Sequence, residues 1–333
     1  MFLALLILAL LVLAAIAYTA FRLRQIHAEY EADGAFADFD GVRLHYHFFP
    51  AAAAGSAAPT LVFIHGASGN AYDQMLAFSE RFAGAYALLF VDRPGLGFSG
   101  RDMRGHASPR AQAELIKRLL KQLEIDRCIV IGHSLGASVT AALGLIDPER
   151  VKGLVFLAPA THPWPGGVNW YYSVASWPLI GRLFCWTLTL PVAERLMEKS
   201  ITRVFEPSPA PDGYAAAIKA PLLFRPHSFR ANAMDIARLK PHLVEQSELY
   251  PDLLQPTVVI TGSEDTVVWP SIHSEGLVRD LPNARLVVLD GTGHMPHHSD
   301  GPHVAAEIEK LVKDVNDAAG RFLLETQQTP EPT

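Results

Sequence analysis

Hydrophobic positions along the chain fall into distinct regimes. Residues 1–21, MFLALLILALLVLAAIAYTAF, carry no charged side chain before Arg22, and one helix of that length crosses about 30 Å of hydrocarbon. From Thr60 onward short continuous apolar runs recur: TLVFIHG, YALLFVD, CIVIGHS, GLVFLAP, TVVITGS and RLVVLDG. Such runs predict strands buried on both faces of a mostly parallel sheet. Between several of them the apolar residues change to helical spacing, as in SPRAQAELIKRLLKQLE, with Ser108 placed to N-cap and Pro109 in the first turn. The alternation predicts a doubly wound α/β fold. From Thr161 to Gln255 it breaks down into an aromatic and proline-rich interval of helical spacing, HPWPGGVNWYYSVASWPLIGRLFCWTLTLP at its start. Inserted between two strands, such an interval forms a cap over the strands' carboxyl ends, where open α/β sheets hold their ligands. Its aromatics have two readings, as packing of the cap's own core or together as an apolar roof over a pocket.

The boundaries that follow are an anchor at 1–21, a linker at 22–39, a core at 40–160 and 256–317, a helical cap at 161–255 and a flexible tail from 318. Within the core, GVRLHYHFFP alternates like an antiparallel edge strand and AAAAGSAAPT is a low-complexity loop. The end of the tail, ETQQTPEPT, has the composition of a solvated, disordered end.

Composition narrows the partners. With 28 Lys and Arg against 34 Asp and Glu, a formal charge of −6 and no basic cluster, nucleic acid is excluded as the expected partner. Cys128 and Cys185 read as small core hydrophobes rather than a disulfide or zinc pair. The apolar start reads as a retained single-pass anchor, which makes the bilayer a partner. A cleaved signal peptide is the rival, since AIA or YTA suits a peptidase, but its basic n-region is missing. Arg22 and Arg24 directly after the span favour a cytoplasmic domain.

Candidate chemistry sits at the ends of the apolar runs. Gly132-His133-Ser134-Leu135-Gly136 fits G-x-S-x-G between a strand pattern (CIVI) and a helix pattern (LGASVTAALGLI). A nucleophile on so tight a turn needs a strained backbone and glycines two residues away on either side. A serine needs a base and the base a carboxylate. His294 follows the last apolar run and Asp265 the one before it, in the order Ser, Asp, His. Glu264 competes with Asp265, and His297 and His298 compete with His294. HMPHH could also hold a metal, but its proline and the glycines before it argue for loop rather than a ligand-bearing helix; no metal and no cofactor are expected. Oxyanion donors are expected from the backbone N–H groups of Leu135 and of Ala67, in the HGASGN loop.

With HGASG, GHSLGA, GSED and GTGH in this order, and DRPGLGFSGR at 92–101, the chain resembles the α/β-hydrolase superfamily from about residue 40 to 317. Relatives with an aspartate nucleophile, the haloalkane dehalogenases and epoxide hydrolases, differ where this chain has Ser134. An N-terminal span before a capped core is similar to membrane-anchored monoacylglycerol lipases. The resemblance implies a serine ester hydrolase acting on a small-molecule acyl ester. Carbon–carbon hydrolases, thioesterases and perhydrolases share the elbow, and a non-catalytic receptor of the same fold is a further alternative.

Overall fold

A computed structural model describes residues 1–52, 58–103 and 105–327, with side chains as far as 318. Parts of the low-complexity loop (53–57) and of the tail (328–333) lie outside the described residues.

Each apolar run becomes a strand. The sheet contains β1 (Ala35–Phe39), β2 (Val42–Phe49), β3 (Thr60–Ile64), β4 (Leu88–Val91), β5 (Cys128–His133), β6 (Val151–Leu157), β7 (Thr257–Gly262) and β8 (Ala284–Leu289). These eight strands lie in the order β1-β2-β4-β3-β5-β6-β7-β8. β2 runs antiparallel to both β1 and β4, and all pairs from β4 to β8 are parallel. Every residue of β3, β4, β5 and β7 is buried, as strands covered on both faces require. Alternate side chains feed opposite layers: Val62 and Ile64 join one core, Leu61 and Phe63 the other.

The helices are α1 (Phe2–Glu29), α2 (Ala71–Phe82), α3 (Pro109–Gln122), α4 (Leu135–Ile146), α5 (Trp170–Ser176), α6 (Ile180–Phe184), α7 (Leu190–Phe205), α8 (Tyr214–Ala217), α9 (Pro226–Ser247), α10 (Pro270–Asp280), α11 (Pro296–Ser299) and α12 (Gly301–Gln327). α3, α4 and α10 cover the first core, and α2 and α12 the second. At the start of α3 the Ser108 hydroxyl accepts from the Ala111 N–H at 3.1 Å, with Pro109 following it. α5 to α9 form the insertion between β6 and β7, and a π-helical turn at Cys185–Thr189 joins α6 to α7.

Some expectations are corrected. α1 continues to Glu29, and a strand opens at Ala35, inside the stretch read as a linker. β2 is therefore not the edge, because β1 pairs along its outer side from Ala35↔Tyr46 to Phe39↔Val42. In place of a disordered end at 325–327, α12 runs to Gln327. Trp170, Trp177 and Trp186 of the insertion are on its outside, 69, 50 and 38 % exposed, so they do not fill its core. Cys128 and Cys185 are buried free thiols.

Candidate active site

β5 ends at the serine. Ser134 has φ 50° and ψ −120°, a backbone strained for a residue with a Cβ. Neighbouring chains hold it there. Its N–H donates to the Leu157 carbonyl at 3.0 Å, and its own carbonyl accepts from Ala137 and Ala160, each at 3.0 Å. A Cβ on Gly132 would come within 2.2 Å of Thr140 Oγ1, and one on Gly136 within 2.2 Å of the Ile64 carbonyl oxygen. Both glycines are thus required by close packing around the turn. Ser134 caps nothing with its side chain at the start of α4; its hydroxyl is directed elsewhere.

That direction is His294. Ser134 Oγ lies 3.0 Å from His294 Nε2, and His294 Nδ1 lies 2.8 Å from Asp265 Oδ2. The carboxylate selects the tautomer with its proton on Nδ1, leaving the Nε2 lone pair facing the serine O–H. Asp265 Oδ1 accepts from the N–H groups of Val267 and Val268, both at 2.9 Å, which fixes the carboxylate plane. All three side chains come from loops leaving the carboxyl ends of β5, β7 and β8, and all three residues are buried, at 9, 5 and 5 % exposure for Ser134, Asp265 and His294. Glu264 points to solvent.

His297 and His298 go to another carboxylate. They lie in the short helix α11, where a loop was expected, and their Nε2 atoms are 3.2 and 2.8 Å from the two oxygens of buried Asp73. Tyr214 of α8 donates its hydroxyl to Asp73 Oδ1 at 2.7 Å. Asp73, His297 and His298 bring ligand atoms within 4.8 Å of one another, as do Asp33, His45 and His47. These are the groupings among the described residues with the composition to hold a metal ion.

In the loop after β3, a Cβ on Gly66, the residue before Ala67, would come within 3.1 Å of the Ser134 Cβ. Among the described residues no backbone carbonyl outside the regular helices and strands accepts from the Ala67 or the Leu135 N–H. The flanks of Ala67 are held by groups that sequence reasoning missed. Fully buried Arg93 donates from Nε to the His65 carbonyl at 2.9 Å and from Nη2 to the Gly66 carbonyl at 3.0 Å. Its Nη1 donates to Asp235 Oδ2 of α9 at 2.8 Å, and Arg101 reaches Asp235 Oδ1 at 2.6 Å. On the other flank the Ser68 N–H donates to Asn232 Oδ1 at 2.8 Å, and Asn232 Nδ2 donates back to Ser68 Oγ at 3.0 Å. The insertion therefore positions the loop that the core supplies. His133 was also missed. Its Nε2–H donates to the His294 carbonyl at 2.9 Å, and burial, followed by the nearby His297 and His294, drives its pKa well down, so it acts as a neutral pin.

Buried histidines give a pH prediction. His65 Nε2 accepts from the Arg93 N–H at 3.0 Å, and His273 Nδ1 accepts from the Thr161 and His162 N–H groups, each at 3.1 Å. Protonation would remove each acceptor. Burial, then Arg93 for His65 and His162 for His273, lowers both from 6.5 to about 4. The unfolded chain therefore binds more protons between pH 6.5 and 4, and stability falls with pH across that window by up to roughly 3 kcal/mol for each histidine. Asp92 adds to the loss only at still lower pH; burial raises its carboxyl, but the His45 hydrogen bond and charge hold it below 3.8. Urea unfolding from pH 7 to 4 is expected to show a falling midpoint, and His273→Gln should flatten the slope.

A family model for the alpha/beta hydrolase fold matches residues 59–300, and the chain belongs to that family. Among curated proteins, a 2-hydroxy-6-oxononadienedioate/2-hydroxy-6-oxononatrienedioate hydrolase of Cupriavidus pinatubonensis is 26 % identical over 245 residues, covering 72 % of this chain and 82 % of the relative. Among solved structures, a thermophilic esterase from Thermogutta terrifontis superposes with a TM-score of 0.64 at 19 % identity, covering 85 % of this chain and 97 % of its own. The enol-lactonase of Burkholderia xenovorans LB400 does so at 0.68 and 18 %, covering 84 % and 100 %. The chain is a hydrolase of this fold with a mostly parallel sheet of eight strands.

Proposed function

We propose that the chain is a serine hydrolase that cleaves carboxylic esters of apolar acyl chains, such as a monoacylglycerol or another lipid ester, while anchored in a membrane by α1. The relay from Ser134 through His294 to Asp265 carries this reading. Ser134 Oγ attacks the acyl carbon as its proton passes to His294 Nε2, and Asp265 stabilises the resulting imidazolium. The Ala67 and Leu135 N–H groups receive the oxyanion. His294 then protonates the departing alcohol, and water, activated by the same imidazole, releases the acid from the acyl-enzyme. No cofactor enters.

The anchor reading rests on contacts within the folded body. Tyr18 and Arg22 of α1 bind Glu194 of α7 at 3.1 and 2.6 Å, and Ile26 is fully buried with Leu190, Leu222 and Phe224. Cleavage after AIA or YTA would cut through or beside this docked segment. Arg22 and Arg24 support a cytoplasmic body.

The name of the Cupriavidus relative favours a second reading, hydrolysis of a carbon–carbon bond in a charged dienone acid. Such a substrate calls for a free cation, yet buried Arg225 donates to the Leu222 and Gly97 carbonyls and Ser228 Oγ, and Arg203 is on the exposed side of α7. This favours a neutral acyl ester. Turnover of short and long p-nitrophenyl esters against a dienone acid decides between them, and a fluorophosphonate probe is expected to label the wild type but not Ser134→Ala. Turnover confined to the dienone acid overturns the ester reading, and absence of labelling overturns the serine mechanism.

A further inference from the structure

The aromatic surface of the insertion has a second role. Trp170, Trp177, Leu179, Ile180, Leu183 and Trp186 lie within a short stretch and are all large and exposed, Leu179 by 79 %. Such a concentration of exposed apolar side chains marks an interaction surface. It is continuous with α1: Ile16 joins Leu179, Arg182, Leu183 and Trp186 around an open groove of about 490 Å³.

The length of α1 fixes where this groove stands. Residues 2–21 precede the first charged side chain, Arg22, and at about 1.5 Å per residue they span roughly 30 Å, the thickness of the hydrocarbon layer. Arg22, held by Glu194 of α7, therefore marks the boundary. Ile16 is six residues earlier in the sequence, about 9 Å inside that boundary along the helix, and the groove goes with it. An interfacial apolar face buries about 5–10 Å. Tryptophans with basic neighbours suit this depth: Arg182 lines the groove, and Arg230 donates to the Trp177 carbonyl at 3.3 Å.

We propose that the outer face of α5, α6 and the following π turn lies in the headgroup–acyl boundary of the bilayer that α1 spans, so that the active site is covered on its bilayer side by a lipid-immersed lid. The inner side of α5 supports this placement. Ala175 is fully buried and Tyr172 stacks on Phe229 of α9, the helix whose Asn232 holds Ser68 beside the oxyanion loop. α9 thus lies between α5 and the loop that carries Ser68. This inference rests on the anchored lipid-ester reading for its substrate, but the lipid contact is measurable without turnover.

The experiment uses the full chain in nanodiscs. With Trp164→Phe and Trp269→Phe the three cap tryptophans report alone, and lipids brominated at acyl positions 6 and 7 should quench their emission at least twofold. Ile180→Glu with Leu183→Glu should restore the emission and lower turnover of a bilayer-embedded monoacylglycerol about tenfold, while a short soluble ester is turned over within twofold of wild type. Unquenched emission overturns the proposal, as does a mass of two chains per disc that the double variant reduces to one, which would assign the face to a second copy. Failure of the wild type on the soluble ester, with quenching intact, counts against the ester reading and leaves the lipid contact supported.

Discussion

Replacing Ser134 by alanine is expected to lower kcat on the order of 10⁵-fold, with little change in KM and in the folded structure. The Oγ makes a hydrogen bond to His294 and none to the backbone at the start of α4, so its removal deletes the nucleophile and little that supports the fold. The strain at φ 50° remains, since alanine also carries a Cβ; thermal stability should stay within about 0.5 kcal/mol of wild type. Asp265→Asn makes the contrasting case. An amide nitrogen turned toward His294 Nδ1 would favour the wrong tautomer, for a loss of about 10⁴-fold with the geometry intact. Initial rates on a p-nitrophenyl ester, beside thermal melts, check both. Ser134→Ala retaining more than about a hundredth of wild-type kcat would remove the serine from the mechanism.

How far such residues can be read from a sequence depends on how local their signal is. β3 to β7 were legible because an uninterrupted run of buried apolar residues can pair on both sides. Ser134, Asp265 and His294 were legible because each directly follows such a run, and a parallel sheet collects its strand ends on one side; the structure brings these three within hydrogen-bonding distance. β1 was missed because AFADF is short and its strand character depends on pairing with β2. Helical spacing in the insertion identified helices but not their environment: the same period serves a face turned to a pocket, to a neighbouring helix or outward, as Tyr172 and Trp170 on α5 illustrate. Buried polar partners were least legible. Asp73 meets His297 across a separation of 224 residues, and Arg93 meets Asp235 across 142. A charged side chain in a glycine-rich turn does not reveal in sequence which distant group will neutralise it.

Arg93 and Asp235 carry the second large prediction. Asp235 is fully buried between Arg93 and Arg101, at 2.8 and 2.6 Å. Asp235→Ala would leave two buried guanidinium groups without their counter-charge, a loss of about 3–5 kcal/mol. Its effect on catalysis separates this role from simple support of the fold. Through Arg93, Asp235 fixes the His65 and Gly66 carbonyls, which set where the next residue, Ala67, directs its N–H. Displacement of one oxyanion donor lowers kcat by about 10²–10³-fold when the donor is lost entirely, so a loosened donor should give a smaller loss, confined mainly to kcat. Asp235→Asn keeps the volume and one acceptor and should fall between Ala and wild type in both properties. Arg93→Lys should not restore function, because a single ammonium cannot reproduce a planar fork that reaches two carbonyls and a carboxylate together. Chemical denaturation and kcat measured well below the melting temperature test the pair. If Asp235→Ala is destabilised as expected but keeps wild-type kcat, the insertion braces the fold without positioning the oxyanion loop.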